Sequence, residues 1–187
     1  NKDLRELNLE EWRQQIATVF QDFGRYMLTL GENIALGNLK SVDDIESLGR
    51  VSGLTGITEL VERFPQKYRT PLGKQFGGTE LSGGQWQKVA LARTLLRAEK
   101  AQILILDEPT AAIDPRSEVE IYSRFAELSR GKTTLLITHR LASVRMADRI
   151  LVLKKGNLIE EGTHNELLLY GGEYATLWKM QVSQYGF

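Results

Sequence analysis

The 187-residue sequence contains no cysteine. That excludes a disulfide framework and thiolate chemistry, and it fits the cytosol. Only two histidines occur, His139 and His164, too few for a histidine-rich metal site. Four prolines leave no proline-rich linker. Neither charge sign is in excess, because 24 basic residues balance 24 acidic ones. No global field therefore draws the chain toward nucleic acid or an anionic membrane. The longest apolar runs are about four residues, such as Ile103–Leu106, whereas a spanning helix needs ~20. The polar, acid-containing start Asn1–Glu6 resembles neither a signal nor a transit peptide. The phosphate-cradling pattern G-x-x-x-x-G-K-S/T is also missing. Its nearest approach, Gly131-Lys132-Thr133-Thr134, has Ala126 where the first glycine belongs and runs into a strand instead of a helix.

What is present is globular: 42% hydrophobic and 26% charged residues, enough for one domain or one domain with a small appendage. Three apolar runs read as buried parallel strands: Ile103–Leu106, Leu135–Thr138 and Ile150–Leu153. Pro115–Arg130 between the first two carries helical spacing, with Asp114 as its N-cap. This alternation predicts an α/β fold with a parallel sheet. A turn at Lys154–Asn157 predicts a hairpin into Leu158–Glu160, followed by short helices over Asn165–Leu169 and Glu173–Val182. Ser41–Phe64 has helical periodicity and no strand, and a helix is predicted from Gly83 to about Arg97. The organisation expected is 1–37, a helical lobe over 38–100, and 101–187.

Four short segments carry chemistry. Leu104-Ile105-Leu106-Asp107-Glu108 ends an apolar strand in two carboxylates, at the sheet edge where α/β folds bind ligands. One can hold Mg²⁺ while its neighbour faces a water nucleophile; alone, the pair equally fits two solvated acids opening a turn. Leu81-Ser82-Gly83-Gly84-Gln85 opens a helix with backbone N–H groups able to approach an anion; a plain serine-capped helix would look the same. His139 follows the strand Leu135–Ile137 and fits either a structural histidine or a contact to a transferring phosphoryl group. Gln21 closes the run Val19-Phe20 and alone fits a solvated turn.

In their order and spacing these segments resemble the nucleotide-binding domain of ABC transporter ATPases. Gln21 matches the Q-loop glutamine, Leu81–Gln85 the LSGGQ signature and Ile103–Glu108 the Walker B strand with its following glutamate. Pro109–Asp114 matches the D-loop region and His139 the switch histidine. Gln21-Asp22-Phe23, Gly31-Glu32-Asn33-Ile34 and Thr70-Pro71-Leu72-Gly73 resemble the exporter subtype. Pro71, Gln75 and Phe76 depart from the Glu, Arg and Gly usual before the signature, and Ala111-Ala112-Ile113-Asp114 departs from Ser-Ala-Leu-Asp.

The resemblance implies a P-loop NTPase-like parallel sheet with a helical signature subdomain, and ATP with Mg²⁺ as ligands. It implies Asp107 and Gln21 at Mg²⁺, Glu108 as general base, and His139 on the γ-phosphate. Ser82, Gly83, Gly84 and Gln85 would serve ATP on a second domain in a head-to-tail dimer, with Asp114 at that interface. The transmembrane domain of an exporter, in the same chain or a partner subunit, would be the other partner. The place would be the cytoplasmic face of the cell membrane, with no nucleic acid bound. The start at Asn1 resembles the segment after the phosphate loop. The expectation is therefore a domain lacking its N-terminal part, with weak MgATP binding and exposed apolar sheet surface. Two other functions fit: a signature-donating dimerisation module, or a non-transport ABC ATPase acting on DNA or ribosomes. The short helical insertion and zero net charge disfavour the last.

Overall fold

The computed structural model describes residues 3–74, 77–110 and 115–185. They form two compact units, Asn1–Ile137 and Thr138–Phe187. In the first, β1 (Ile16–Val19), β2 (Ile103–Asp107) and β3 (Thr133–Ile137) make a parallel sheet in that order. Val19 pairs with Leu106, and Asp107 with Ile137, so the carboxyl ends of all three strands leave at one edge. The fold is mixed α/β, as the alternating pattern implies.

Among the described residues the α-helices of this unit are α1 (Leu9–Gln14), α2 (Leu30–Ala35), α3 (Ile45–Thr55), α4 (Thr58–Arg63), α5 (Gly83–Ala98) and α6 (Pro115–Leu128). The predicted helical stretch Ser41–Phe64 is divided. Asp44 caps the start of α3 by accepting from the Ser47 amide, and Gly56 ends it at φ +67°. Only glycine takes that left-handed setting without strain. The α2 start is closed by a capping box between Thr29 and Glu32.

The centre of the unit is α5. Ten of its sixteen residues are buried, including Trp86, Val89, Leu91, Leu95 and Leu96, so it is an interior helix and not a half-wetted amphipathic one. It packs against α2, α3 and β1. Each fully buried large apolar side chain contributes about 1.5–3 kcal/mol of transfer free energy. Polar ties fix its rotation about its axis. The Thr94 hydroxyl donates to the Thr18 carbonyl at 2.7 Å, and Arg97 Nη2 to the Arg13 carbonyl at 3.0 Å. Gly37 passes so close that a Cβ there would overlap the Arg93 carbonyl.

Two of the three predicted parallel strands need correction. The strand expected over Leu135–Thr138 runs from Thr133 to Ile137 and is not buried: Leu135 is 48% and Ile137 46% exposed. It has a hydrogen-bonded neighbour on the β2 side alone among the described residues. The run Ile150–Leu153 belongs to the second unit. There β4 (Ile150–Lys154) pairs antiparallel with β5 (Asn157–Gly162) in a separate two-stranded sheet. The predicted hairpin is present. Its turn has positive φ at both Lys155 and Gly156, the pattern that matches the right-handed twist of paired strands.

The second unit also holds α7 (Leu141–Val144), α8 (His164–Tyr170) and α9 (Glu173–Tyr185). Its core gathers Ile150, Val152, Leu167 and Tyr174. The Glu160 carboxylate accepts from the Glu173 and Tyr174 amides at the start of α9. His164 Nδ1 lies 2.8 Å from the Tyr174 hydroxyl. Burial pushes the His164 pKa down and that of Tyr174 up.

Candidate functional site

β2 delivers Asp107 and Glu108 at the carboxyl edge of the sheet. Leu104 and Leu106 are fully buried beneath them, while Asp107 and Glu108 are half-buried. Glu108 has φ +45°. A side-chain-bearing residue in the left-handed region costs ~1–3 kcal/mol and persists where its surroundings hold it. The strain is sharper because Pro109 follows, and proline biases its predecessor to extended backbone. Bonds to Ile137 and Gln87 help hold the residue there. Its N–H donates to the Ile137 carbonyl at 2.9 Å, and its carbonyl accepts from Gln87 Nε2 at 3.4 Å. The chain thus leaves the β2 line at Glu108, separating the courses of two adjacent carboxylates.

Behind Pro109, Thr110 is buried, with its hydroxyl 3.0 Å from the Glu118 carboxylate and 3.2 Å from the Tyr122 hydroxyl. This seats the strand exit on α6. Asp114 lies outside the described residues, as do Ala111, Ala112 and Ile113, together with Gln75 and Phe76.

The segment Ser82–Gln85 opens α5. Ser82 Oγ accepts from the Gln85 amide at 3.3 Å, and Gln85 Oε1 accepts from the Ser82 amide at 2.8 Å. The box uses Ser82 as an acceptor, and a hydroxyl keeps its proton to donate. Ser82 and Gly83 are exposed, and a Cβ at Gly83 would meet nothing within 4 Å. Leu81 and Trp86, both buried, anchor the turn from either side. The result is an open helix N-terminus facing solvent, the arrangement an anion requires.

Gln21 is exposed, two residues beyond the end of β1. Because β1 neighbours β2 in parallel, Gln21 leaves at the same edge as Asp107. The chain beyond it is held by Arg93 of α5, whose guanidinium donates to the Gly24 carbonyl at 3.2 Å and the Asn33 carbonyl at 2.8 Å. His139 is exposed and belongs to the second unit, where its carbonyl accepts from Gln181 Nε2. The first unit therefore brings Gln21, Asp107, Glu108 and the signature helix onto one framework; His139 sits in the other unit.

Lys132, in the stretch that imitates a phosphate loop, donates to the Ala98 and Ala101 carbonyls. It neutralises the carboxyl end of α5 and precedes a strand. Among the described residues no group of three or more His, Cys, Asp or Glu gathers to hold a metal. A single carboxylate such as Asp107 suits Mg²⁺, which keeps water and phosphate oxygens as its other ligands.

Gln87 and Arg93 act on this region and were not singled out from the sequence, and Thr110 was placed in the D-loop segment without its role in seating the strand exit. The available signal was a polar residue at a position where apolar neighbours predict burial, for such a group must find a partner.

The family described as ABC transporter matches residues 1–111, and the chain belongs to that family. It is 41% identical over 167 residues to the subtilin transport ATP-binding protein SpaT of Bacillus subtilis, covering 89% of this chain and 27% of that protein. An ATP-dependent lipid A-core flippase of Bordetella avium is 40% identical over 181 residues, covering 97% of this chain and 30% of its own. P-glycoprotein 14 of Caenorhabditis elegans is 40% identical over 179 residues, 96% of this chain and 13% of its own. Among solved structures, a bacterial Atm1-family ABC exporter with ATP bound superimposes with a TM-score of 0.80 at 37% identity, over 90% of this chain and 28% of that one. The chain thus spans under a third of the length of these relatives. No described helix is long and apolar enough to cross a membrane.

Proposed function

We propose that these residues form most of the ATP-hydrolysing domain of an ABC exporter, driving a substrate across a membrane. The observation that carries the reading is Glu108, held on left-handed backbone beside Asp107 at the sheet edge, on a framework shared with the exposed signature turn. In this reading residues 1–37 carry the Q-loop, 38–100 the helical signature subdomain, and 101–187 the remainder of the ATPase core. Glu108 accepts a proton from the attacking water or orients it. Asp107 holds Mg²⁺ through water, with Gln21 linking that site to the transport domain. His139 contacts the γ-phosphate. Ser82, Gly83, Gly84 and Gln85 serve ATP held by a second domain in a head-to-tail dimer, with Asp114 at the interface. Mg²⁺ supplies neutralisation of phosphate charge.

The 187 residues carry no G-x-x-x-x-G-K-S/T pattern, so the donors that cradle the phosphates come from elsewhere in the transporter. A transmembrane domain selects the cargo, and the assembly sits at the cytoplasmic face of the membrane. The decisive experiment is Glu108→Gln in the intact transporter. Hydrolysis should fall by roughly 10²-fold or more with ATP still bound, in line with loss of a positioned general base. Hydrolysis within about threefold of wild type would sink the assignment.

The open Ser82–Gly83 turn and the missing phosphate pattern also favour a narrower role for these residues alone, as donor of a signature to a partner's ATP site. Mixing the chain with a partner domain that has an intact phosphate loop and a broken signature tests this. Restored hydrolysis supports donation, and none refutes it.

A further inference from the structure

The peptide joining Glu108 to Pro109 has one hydrogen-bonding handle. Proline has no N–H, so that peptide plane can be fixed only through the Glu108 carbonyl, to which Gln87 Nε2 donates at 3.4 Å. Gln87 is 2% exposed and stands two residues after Gln85 on the same helix. A buried carboxamide is costly unless it is bonded, and this one spends a donor on Glu108, whose backbone is left-handed.

We propose that Gln87 is a positioning residue: it holds the left-handed setting of Glu108 and ties that residue to the helix that opens with Ser82–Gln85. The inference rests on the proposed function, in which Glu108 serves the nucleotide of its own domain and the signature serves the partner's. One rigid helix segment of about 7.5 Å, five residues at 1.5 Å each, then joins the two ATP sites within a single chain. Nucleotide pressing on the signature in one site moves Gln87, and with it the glutamate of the other site.

The test uses Gln87→Met in the intact transporter, a volume-conserving change that removes the donor. Expected is a fall in kcat for ATP of about tenfold, the scale of one lost buried hydrogen bond. KM should stay within about twofold and the melting temperature within about 3 °C, the small shift of a volume-conserving core change. Amide hydrogen exchange in the peptide spanning Asp107–Thr110 should become faster. A wild-type kcat with unchanged exchange overturns the proposal. So does a joint rise in KM and drop in melting temperature, because that is the signature of a core polar residue with no role in positioning. Glu108→Gln run alongside separates the two readings. If it hydrolyses at the wild-type rate the proposed function fails, while faster exchange at 107–110 in Gln87→Met still establishes the contact. If Glu108→Gln is inactive and Gln87→Met is not, the positioning role alone fails.

Discussion

Removing the Arg93 side chain should cost the first unit about 3–4 kcal/mol. Its guanidinium donates from Nε to the Asn33 carbonyl at 2.8 Å, from Nη1 to the Gly24 carbonyl at 3.2 Å and from Nη2 to Asn33 Oδ1 at 3.3 Å. It also covers the Tyr26 ring at 4.9 Å. Three hydrogen bonds are worth roughly 1 kcal/mol each net, and the ring contact adds ~0.5–1 kcal/mol. Burial opposes the charge and holds the Arg93 pKa below its usual value, which favours the lower end of that range. The acceptors left behind matter as much, because Asn33 is fully buried and its own carboxamide donates to the Tyr26 and Thr29 carbonyls. Urea unfolding of the 187-residue chain reads the effect. The midpoint for Arg93→Ala should drop by about 1.5–2 M at a slope near 2 kcal/mol/M. Arg93→Lys should recover less than half of the loss, since an ammonium cannot serve divergent carbonyls as a planar fork does. Tyr26→Leu should cost under about 1 kcal/mol. A cost below about 1 kcal/mol for Arg93→Ala, or full recovery by lysine, refutes the reasoning.

Gly37→Ala should destabilise by about 2–3 kcal/mol, visible in a thermal melt, because its methyl would enter the Arg93 carbonyl and crowd the Arg97 amide, all backbone atoms that cannot swing away. Lys132→Met should cost about 1 kcal/mol for its bonds to the end of α5 and leave ATP affinity of the intact transporter unchanged; a tenfold loss of affinity would restore Gly131–Thr133 as a phosphate loop. The Glu32 carboxyl is held below its ordinary 4.5 by the Thr29 amide, then the Thr29 hydroxyl. A lowered folded-state pKa gives stability that is present above pH 4.5 and lost as pH falls through the folded value. Glu32→Gln should therefore flatten that acid limb in urea midpoints, and an unchanged limb counts against the capping box.

Local chemistry was legible where it is local. The capping serine of α5, the apolar run of β2, the hairpin turn and the helix after Asp114 all follow from a few neighbouring residues. Exposed apolar sheet surface was expected, but not on β3, since Leu135 and Ile137 read as core by hydrophobicity and only the pairing order shows that they stand at an edge. Ile150–Leu153 misled for a related reason: a four-residue apolar run does not say whether its partner strand is parallel or antiparallel. At the site, Gln21, Ser82, Asp107 and Glu108 were visible as a pattern. The backbone of Glu108 was not legible, because a residue before proline is biased toward extended geometry and bonds to Ile137 and Gln87, distant in the chain, override that bias. Gln87 and Arg93 escaped because their partners lie about 20 and 60 residues away in the chain.

The side chains of α5 at positions 87, 93, 94 and 97 between them reach Glu108, the chain beyond Gln21, β1 and the end of α1. Inserting one residue anywhere between them would turn one end of the helix by about 100° against the other. It would leave at least one of these polar groups facing the wrong element. Sequence length should therefore be frozen across Ser82–Ala98, and natural variants, affinity tags and split points should be found in the turns around Gly56 and Gly156. A library of single-residue insertions, sorted for folded protein, would draw that boundary directly.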